Sequence, residues 1–297
     1  MTLLSRLYAL AEKPIHFDES INGWFSLQMQ QTGFYRYDPN NYHGPLYFYL
    51  LHGAEWMWGR SVEVLRCIPA VFSILSVLIC PYPAVALLIL FSPAFVFFGR
   101  SGIHEMPFVF FQLMAAWGVL RSFEKGDGKA LALILCGLWG MLLLKETFVI
   151  TLFCAGLAFL SLGWNFIRQF WRASYWQGAW TQMLTYLMIF LGVSFVLIYT
   201  GFFKNPVGFA HFFQAIMPWL KTGVEGMGHE KPFWYWFQVL AEAEPLVLLG
   251  VALAFVGAFS SQREIRFMSV FSLSQLLIYS LIPYKTVWCV LSLIWGF

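Results

Sequence analysis

Charge is what this sequence has least of. Only 11% of its 297 residues are Asp, Glu, Lys or Arg, with fifteen acids in all, while 60% are hydrophobic and 20% aromatic. A soluble domain has about a quarter of its residues charged, so that class is excluded. The mean hydropathy of +0.68 indicates an all-α polytopic membrane protein with the bilayer as its solvent. A net charge of +3 gives no electrostatic footprint for nucleic acid. Cysteine motifs are lacking as well. Cys67, Cys80, Cys136, Cys154 and Cys289 fall in apolar segments with no Cys-x-x-Cys or His-Cys spacing, and they read as small buried hydrophobes, not a disulfide framework or metal site. A complete membrane segment is missing at each end. Residues 3–11 are too short to span and carry Arg6, which suits neither a transmembrane helix nor a signal peptide, and the apolar run from Val287 stops at Phe297. The expectation is a longer intact protein, cut at both ends.

Against this background the stretch 16–45, HFDESINGWFSLQMQQTGFYRYDPNNYHGP, is a polar island holding Asp18, Glu19, Asp38, His16 and His43. Ile21, Trp24 and Phe25 fall at helical spacing, Ser20, Asn22, Ser26, Gln28 and Gln30 lie mostly on the other side, and Gly33 is a natural stop. This predicts an amphipathic helix on a membrane surface, with Asp18 and Glu19 at the end where the helix dipole favours negative charge. A carboxylate pair there can cap the helix or carry chemistry.

Residues 46–58 are apolar but only thirteen long, which suits a second interfacial or re-entrant helix better than a span. Spans are expected at about 62–80, 84–98, 106–120, 130–144, 147–162, 183–203, 233–259 with a bend at Pro245, and 267–282, before an incomplete last helix. Loops are expected at 163–180 and 204–232. Alternation can be tested against the tendency of Lys and Arg to stay in the cytoplasm. With the first island outside, loops 121–129, 163–180 and 260–266 fall inside and hold seven bases: Arg121, Lys125, Lys129, Arg168, Arg172, Arg263 and Arg266. The same count places the island, His104, Glu105, Lys145, Glu146, the loop 204–232 and Lys285 outside. A spanning 46–58 would strand the two acidic islands on opposite faces.

The outer face thus collects acids at Asp18, Glu19 and Glu105 and bases at Arg100, Lys145 and Lys285. Charges at the membrane edge are costly and tend to be functional, though terminal Lys and Arg also snorkel. The mixture suits a reaction in which a phosphate leaves and a hydroxyl or amine attacks: cations hold the leaving group, and a carboxylate takes the acceptor's proton. Glu105, ahead of Met106 and Pro107, also suits a helix start. Lys145 and Glu146 have the alternative of pairing with each other. His43 and His229, with a carboxylate such as Glu230, are a candidate site for a divalent metal ion. The cluster Phe233-Trp234-Tyr235-Trp236 reads as an interfacial aromatic belt.

Taken in order, Asp18-Glu19, Tyr37-Asp38-Pro39, Tyr42-His43-Gly44-Pro45, residues 100–107, Lys145-Glu146-Thr147, His229-Glu230-Lys231-Pro232 and Pro283-Tyr284-Lys285-Thr286 form a pattern that resembles the GT-C membrane glycosyltransferases. The resemblance is to their protein mannosyltransferase-like and aminoarabinose-transferase-like branch, and within it to a prokaryotic subfamily labelled flippase-activity-associated. It covers nearly the whole chain as one transmembrane domain, with 12–61 as the first outer loop and 62–297 as the helix bundle. It implies a polyprenyl-phosphate sugar as donor, surrounding membrane lipids, an unidentified protein, lipid or glycan acceptor, and hexosyl or pentosyl transfer on the outer side of a prokaryotic plasma membrane. The family's first-loop acid matches Asp18, its second acidic motif matches His104-Glu105 with Glu where Asp is more usual, and its lipid-phosphate cations correspond to Lys145 and Lys285. Glu19 and Arg100 are further candidates in those motifs, with His104, Tyr42 and His43 beside them. The family's first transmembrane helix and its C-terminal part have no counterpart in these residues. Two rival functions remain: a component that moves a lipid-linked sugar across the membrane, and a non-catalytic partner subunit.

Overall fold

The structure, a computed structural model, describes residues 2–41, 43–171, 179–226 and 228–297. Tyr42 and Arg172 lie outside the described residues. The fold is all-helical. Its order is α1 (Thr2–Leu7), α2 (Phe17–Thr32), α3 (Leu46–Trp58), α4 (Val62–Ile79), α5 (Pro83–Phe91), α6 (Pro93–Phe98), α7 (Glu105–Glu124), α8 (Gly128–Leu142) and α9 (Phe148–Ser161). There follow α10 (Trp164–Trp171), α11 (Ala179–Tyr199), α12 (Gly208–Gln214), α13 (Ile216–Glu225), α14 (Tyr235–Ala243), α15 (Pro245–Gly257), α16 (Arg263–Leu281), a 3-10 turn at Val287–Cys289 and α17 (Val290–Ile294).

Two of the first island's expectations appear directly. The α2 helix starts at an N-cap His16 in a capping box with Glu19 and ends at Gly33, whose φ of 76° is the left-handed value that closes a helix. The α3 helix has the thirteen residues expected of it. By length and composition, α4, α7 and residues 180–199 of α11 can cross a membrane, and α8, α9 and α15 are shorter apolar helices.

Elsewhere the expected spans are broken. The run 84–98 divides at Ser92, where Pro93 cannot continue the backbone ladder. The run 233–259 divides at Glu244, just before Pro245. These two breaks meet: Ser92 Oγ and the Ala94 N–H donate to Glu244 Oε1 at 2.6 and 2.7 Å. A buried carboxylate thereby meets donors that the broken helix leaves unpaired. The carbonyls at the end of α5 are met from α1, whose wholly buried Arg6 donates to the oxygens of Ile89 and Leu90 at 2.9 and 2.7 Å. Residues 164–171 and 208–225, expected in loops, form α10, α12 and α13.

The α7 helix is the central post, packed against α4 and α8, while α9 lies along α16 and α1 and α3 lean on α4. One apolar core, with Met106, Trp236, Phe267 and Leu291, joins α7 to α14, α16 and α17. A second, with Tyr37, Phe48, Phe108 and Leu144, joins the first island to α3, α7 and α8.

Candidate functional site

The second core delivers the island to the break between α8 and α9. The Gly44 and Leu46 N–H groups donate to the carbonyls of Leu144 and Leu143 at 3.1 and 3.0 Å. A Cβ on Gly44 would stand 2.2 Å from the Leu143 oxygen, so only glycine permits this approach. On the far side, the Lys285 N–H donates to His229 O and the Lys231 N–H to Pro283 O, both at 3.1 Å, clipping 229–231 onto 283–285. Between these segments lies a cavity of about 400 Å³ lined by Asp18, His43, His104, Glu105, Lys145, Glu146, Lys285 and aromatic side chains including Trp219 and Trp288. Six of the sequence candidates, four of them charged in ordinary form, therefore share one wall system although they are spread over more than 260 residues of chain.

Each charge has a defined partner. Glu105, at the first turn of α7, is buried and pairs with the Lys145 ammonium; its Oε1 also accepts from Ser292 Oγ at 2.8 Å. Lys145 therefore pairs with Glu105 and not with the adjacent Glu146, and its Nζ lies 3.6 Å from Cys289 Sγ. The buried Lys285 ammonium donates to the carbonyls of Ile282 and Lys231 at 2.5 and 3.1 Å, which leaves one of its three N–H bonds for a ligand among the described residues. Asp18 is the partly open group, with His16 Nδ1 at 3.4 Å. Partial burial raises its carboxyl above the ordinary value while His16, His229 and Lys145 pull it back, which moves it toward the range useful for a proton acceptor.

The deepest wall is uncharged. Burial pushes the Glu146 carboxyl up to about 8 and, with the nearby Lys145 ammonium, His43 down to about 3. Burial, with His43 and Lys145 adding to it, also holds His104 well below the ordinary histidine value. The Tyr37 hydroxyl donates to Glu146 Oε1 at 3.5 Å, His43 Nδ1 stands 4.0 Å from Oε2, and the His104 ring packs 4.4 Å from Tyr47 and 5.0 Å from His43.

Three candidates, Glu19, Arg100 and His229, stand outside the cavity lining. Glu19 is fully buried and committed to Arg66, which donates to Oε1 and Oε2 at 2.8 Å each; the Gly102 and His16 N–H groups add bonds of 2.7 and 2.9 Å. Arg66 spends its other N–H groups on the carbonyls of Leu10, Lys13 and Pro14. Glu19 thereby ties α2 to α4 and to the segment preceding His104. Arg100 donates to the carbonyls of Tyr8 and Ala9, tying the chain start to the same segment. His229 packs its ring 5.2 Å from Tyr284. No group of three or more His, Cys, Asp or Glu able to hold a metal ion occurs among the described residues.

Sequence reasoning assigned no site role to Glu146, Tyr37, Asn41, Trp219, Trp288 or Cys289. The signal for Glu146 was present, as a second charge beside Lys145 between apolar runs. Trp219 was hidden because α13 lay within a presumed loop, and Cys289 because a thiol in an apolar run carries no sign that an ammonium will sit beside it.

No protein-family profile matches the chain, and no curated protein matches it. Solved structures do. The crystal structure of ArnT from Cupriavidus metallidurans bound to undecaprenyl phosphate matches with a TM-score of 0.68 at 14% identity, over 99% of this chain and 57% of that one. Its apo state matches with a TM-score of 0.72 at 13% identity, over 99% and 56%. The chain thus shares its helical fold with part of ArnT and spans a little over half the length of those ArnT chains.

Proposed function

We propose that the chain is the transmembrane domain of a glycosyltransferase that moves a sugar from a polyprenyl phosphate to an acceptor on the outer face of the membrane. The observation that carries this reading is the single cavity in which Asp18, the Glu105–Lys145 pair and Lys285 converge, in a fold similar to a protein crystallised with undecaprenyl phosphate. A separate, largely apolar cavity of about 830 Å³ between α4, α5, α7, α15 and α16 offers room for isoprene units. The side follows from the basic residues of 121–129 and 260–266, which favour the cytoplasm. Residues 12–61 are then the outer loop and 62–297 the bundle of one domain.

In this mechanism the acceptor's hydroxyl or amine gives its proton to the Asp18 carboxylate as its lone pair attacks the sugar C1. The bond from C1 to the phosphate oxygen breaks, and its electron pair leaves on the polyprenyl phosphate. Lys285, with its remaining N–H, and Lys145 hold the growing phosphate charge, which is where preorganised cations act most strongly. Glu105 keeps Lys145 charged and in place.

The test is sugar release and transfer from a panel of labelled polyprenyl-phosphate sugars, using the full-length protein in liposomes. Turnover with at least one donor, lowered about a hundredfold or more by Asp18→Asn, is expected. A folded protein that turns over no donor, or an Asp18→Asn variant of near-normal rate, refutes the reading.

A further inference from the structure

The uncharged wall of the cavity holds two buried polar atoms without a hydrogen bond among the described residues. His104 Nε2, in a residue 5% exposed, and Glu146 Oε2, in one 6% exposed, have no hydrogen-bond partner among the described residues. Leaving such atoms unpaired in a protein interior is costly, and two of them lining one cavity point to a polar ligand that satisfies both. Neither side chain is loose. The His104 ring is fixed against Tyr47 and Phe48, and the other oxygen of Glu146 is held by Tyr37.

The charge of this wall restricts what the ligand can be. Both histidines are neutral and Glu146 keeps its proton at neutral pH. The nearby lysine is already paired with Glu105, and Asp18 stands beside His16. A cationic substituent placed against His104 and Glu146 would lose its hydration and gain no counter-charge from either of them, whereas a hydroxyl both donates and accepts, as these two groups do. Trp219 and Trp288 in the same cavity offer apolar faces to the C–H surface of a ring, and a cavity of about 400 Å³ is within the range of small-molecule sites.

We propose that His104 and Glu146 form the subsite for two hydroxyls of an uncharged sugar ring, so that the donor lipid carries a neutral hexose or pentose and not an amino sugar. This rests on the glycosyl-transfer reading and adds the class of sugar to it.

The test is equilibrium binding of three probes to the full-length protein in lipid nanodiscs: bare polyprenyl phosphate, a polyprenyl-phosphate hexose, and the same lipid with one ring hydroxyl replaced by an amine. The hexosyl lipid is expected to bind about tenfold tighter than either other probe, since a site built for a hydroxyl rejects its replacement. Glu146→Leu should erase that advantage and leave bare polyprenyl phosphate within about twofold of normal, while Glu146→Gln, which keeps a donor and an acceptor, should retain most of it. His104→Phe, which keeps a stacked ring and removes the nitrogens, gives an independent loss should Glu146→Leu not fold. Equal binding of all three probes, preference for the amine, or discrimination that survives both Glu146→Leu and His104→Phe overturns the subsite and leaves the transferase reading standing. A folded protein that binds none of the probes overturns both.

Discussion

Arg66→Met is expected to loosen both acid-bearing segments of the cavity at once. Arg66 is fully buried and all five of its N–H groups are engaged, two by Glu19 and three by the carbonyls of residues 10, 13 and 14. Methionine fills much of the same volume but leaves the Glu19 carboxylate buried with only the Gly102 and His16 N–H groups. Breaking a buried pair on one side costs about 3–5 kcal/mol, because the remaining charge keeps its desolvation cost and loses its partner. For a chain of this size that corresponds to a fall in melting temperature on the order of 10 °C. Arg66→Met with Glu19→Leu removes the orphaned charge and should recover part of the loss. The assay is a thermal ramp in detergent followed by size-exclusion of the surviving monodisperse protein. A single variant melting within about 2 °C of wild type, an effect under roughly 1 kcal/mol, refutes the reasoning, as does a double variant no more stable than the single one.

Glu105→Gln should leave the Lys145 ammonium without its counter-charge and lower both melting temperature and sugar transfer, transfer by about tenfold or more; Glu105→Leu with Lys145→Met should restore melting but not transfer, and restored transfer would contradict the role of the pair. Glu146 should make stability fall with rising pH. Its folded value of about 8 lies above the unfolded one near 4.5, so between the two the unfolded chain has lost a proton that the folded chain keeps, at up to about 1.4 kcal/mol per pH unit. Melting curves from pH 5 to 8 should show this decline and Glu146→Gln should flatten it; an identical slope in the variant would count against a buried, protonated carboxyl. For the membrane side, Asn40→Cys should react with an impermeant maleimide added to intact cells and Lys125→Cys should stay protected until the membrane is opened; the reverse pattern would invert the topology.

The parts of this protein legible in its sequence were those with local signatures. Gly33 and the polar face of 17–32 defined α2, and the length of 46–58 distinguished α3 from a span. The order of Asp18, His104-Glu105, Lys145 and Lys285 selected residues that the fold gathers around one cavity. What stayed hidden depends on pairings distant in sequence. Pro245 marked the bend in 233–259, but hydropathy reads 84–98 as continuous because it cannot register that Ser92 and Glu244, about 150 residues apart, satisfy each other. Glu19 is an acid in the same first helical turn as Asp18. Only the approach of Arg66, a residue that sequence patterning treats as one more charge in a helix, makes one a clamp and leaves the other facing the cavity.

The most direct test of the central claim is where the lipid phosphate binds. A structure of the full-length protein in nanodiscs with polyprenyl phosphate should show the phosphate within hydrogen-bond reach of Lys285 Nζ or Lys145 Nζ, beside Asp18. A phosphate seated elsewhere, such as against Arg121 or Arg263, with the Asp18 cavity empty of lipid headgroup, would contradict it.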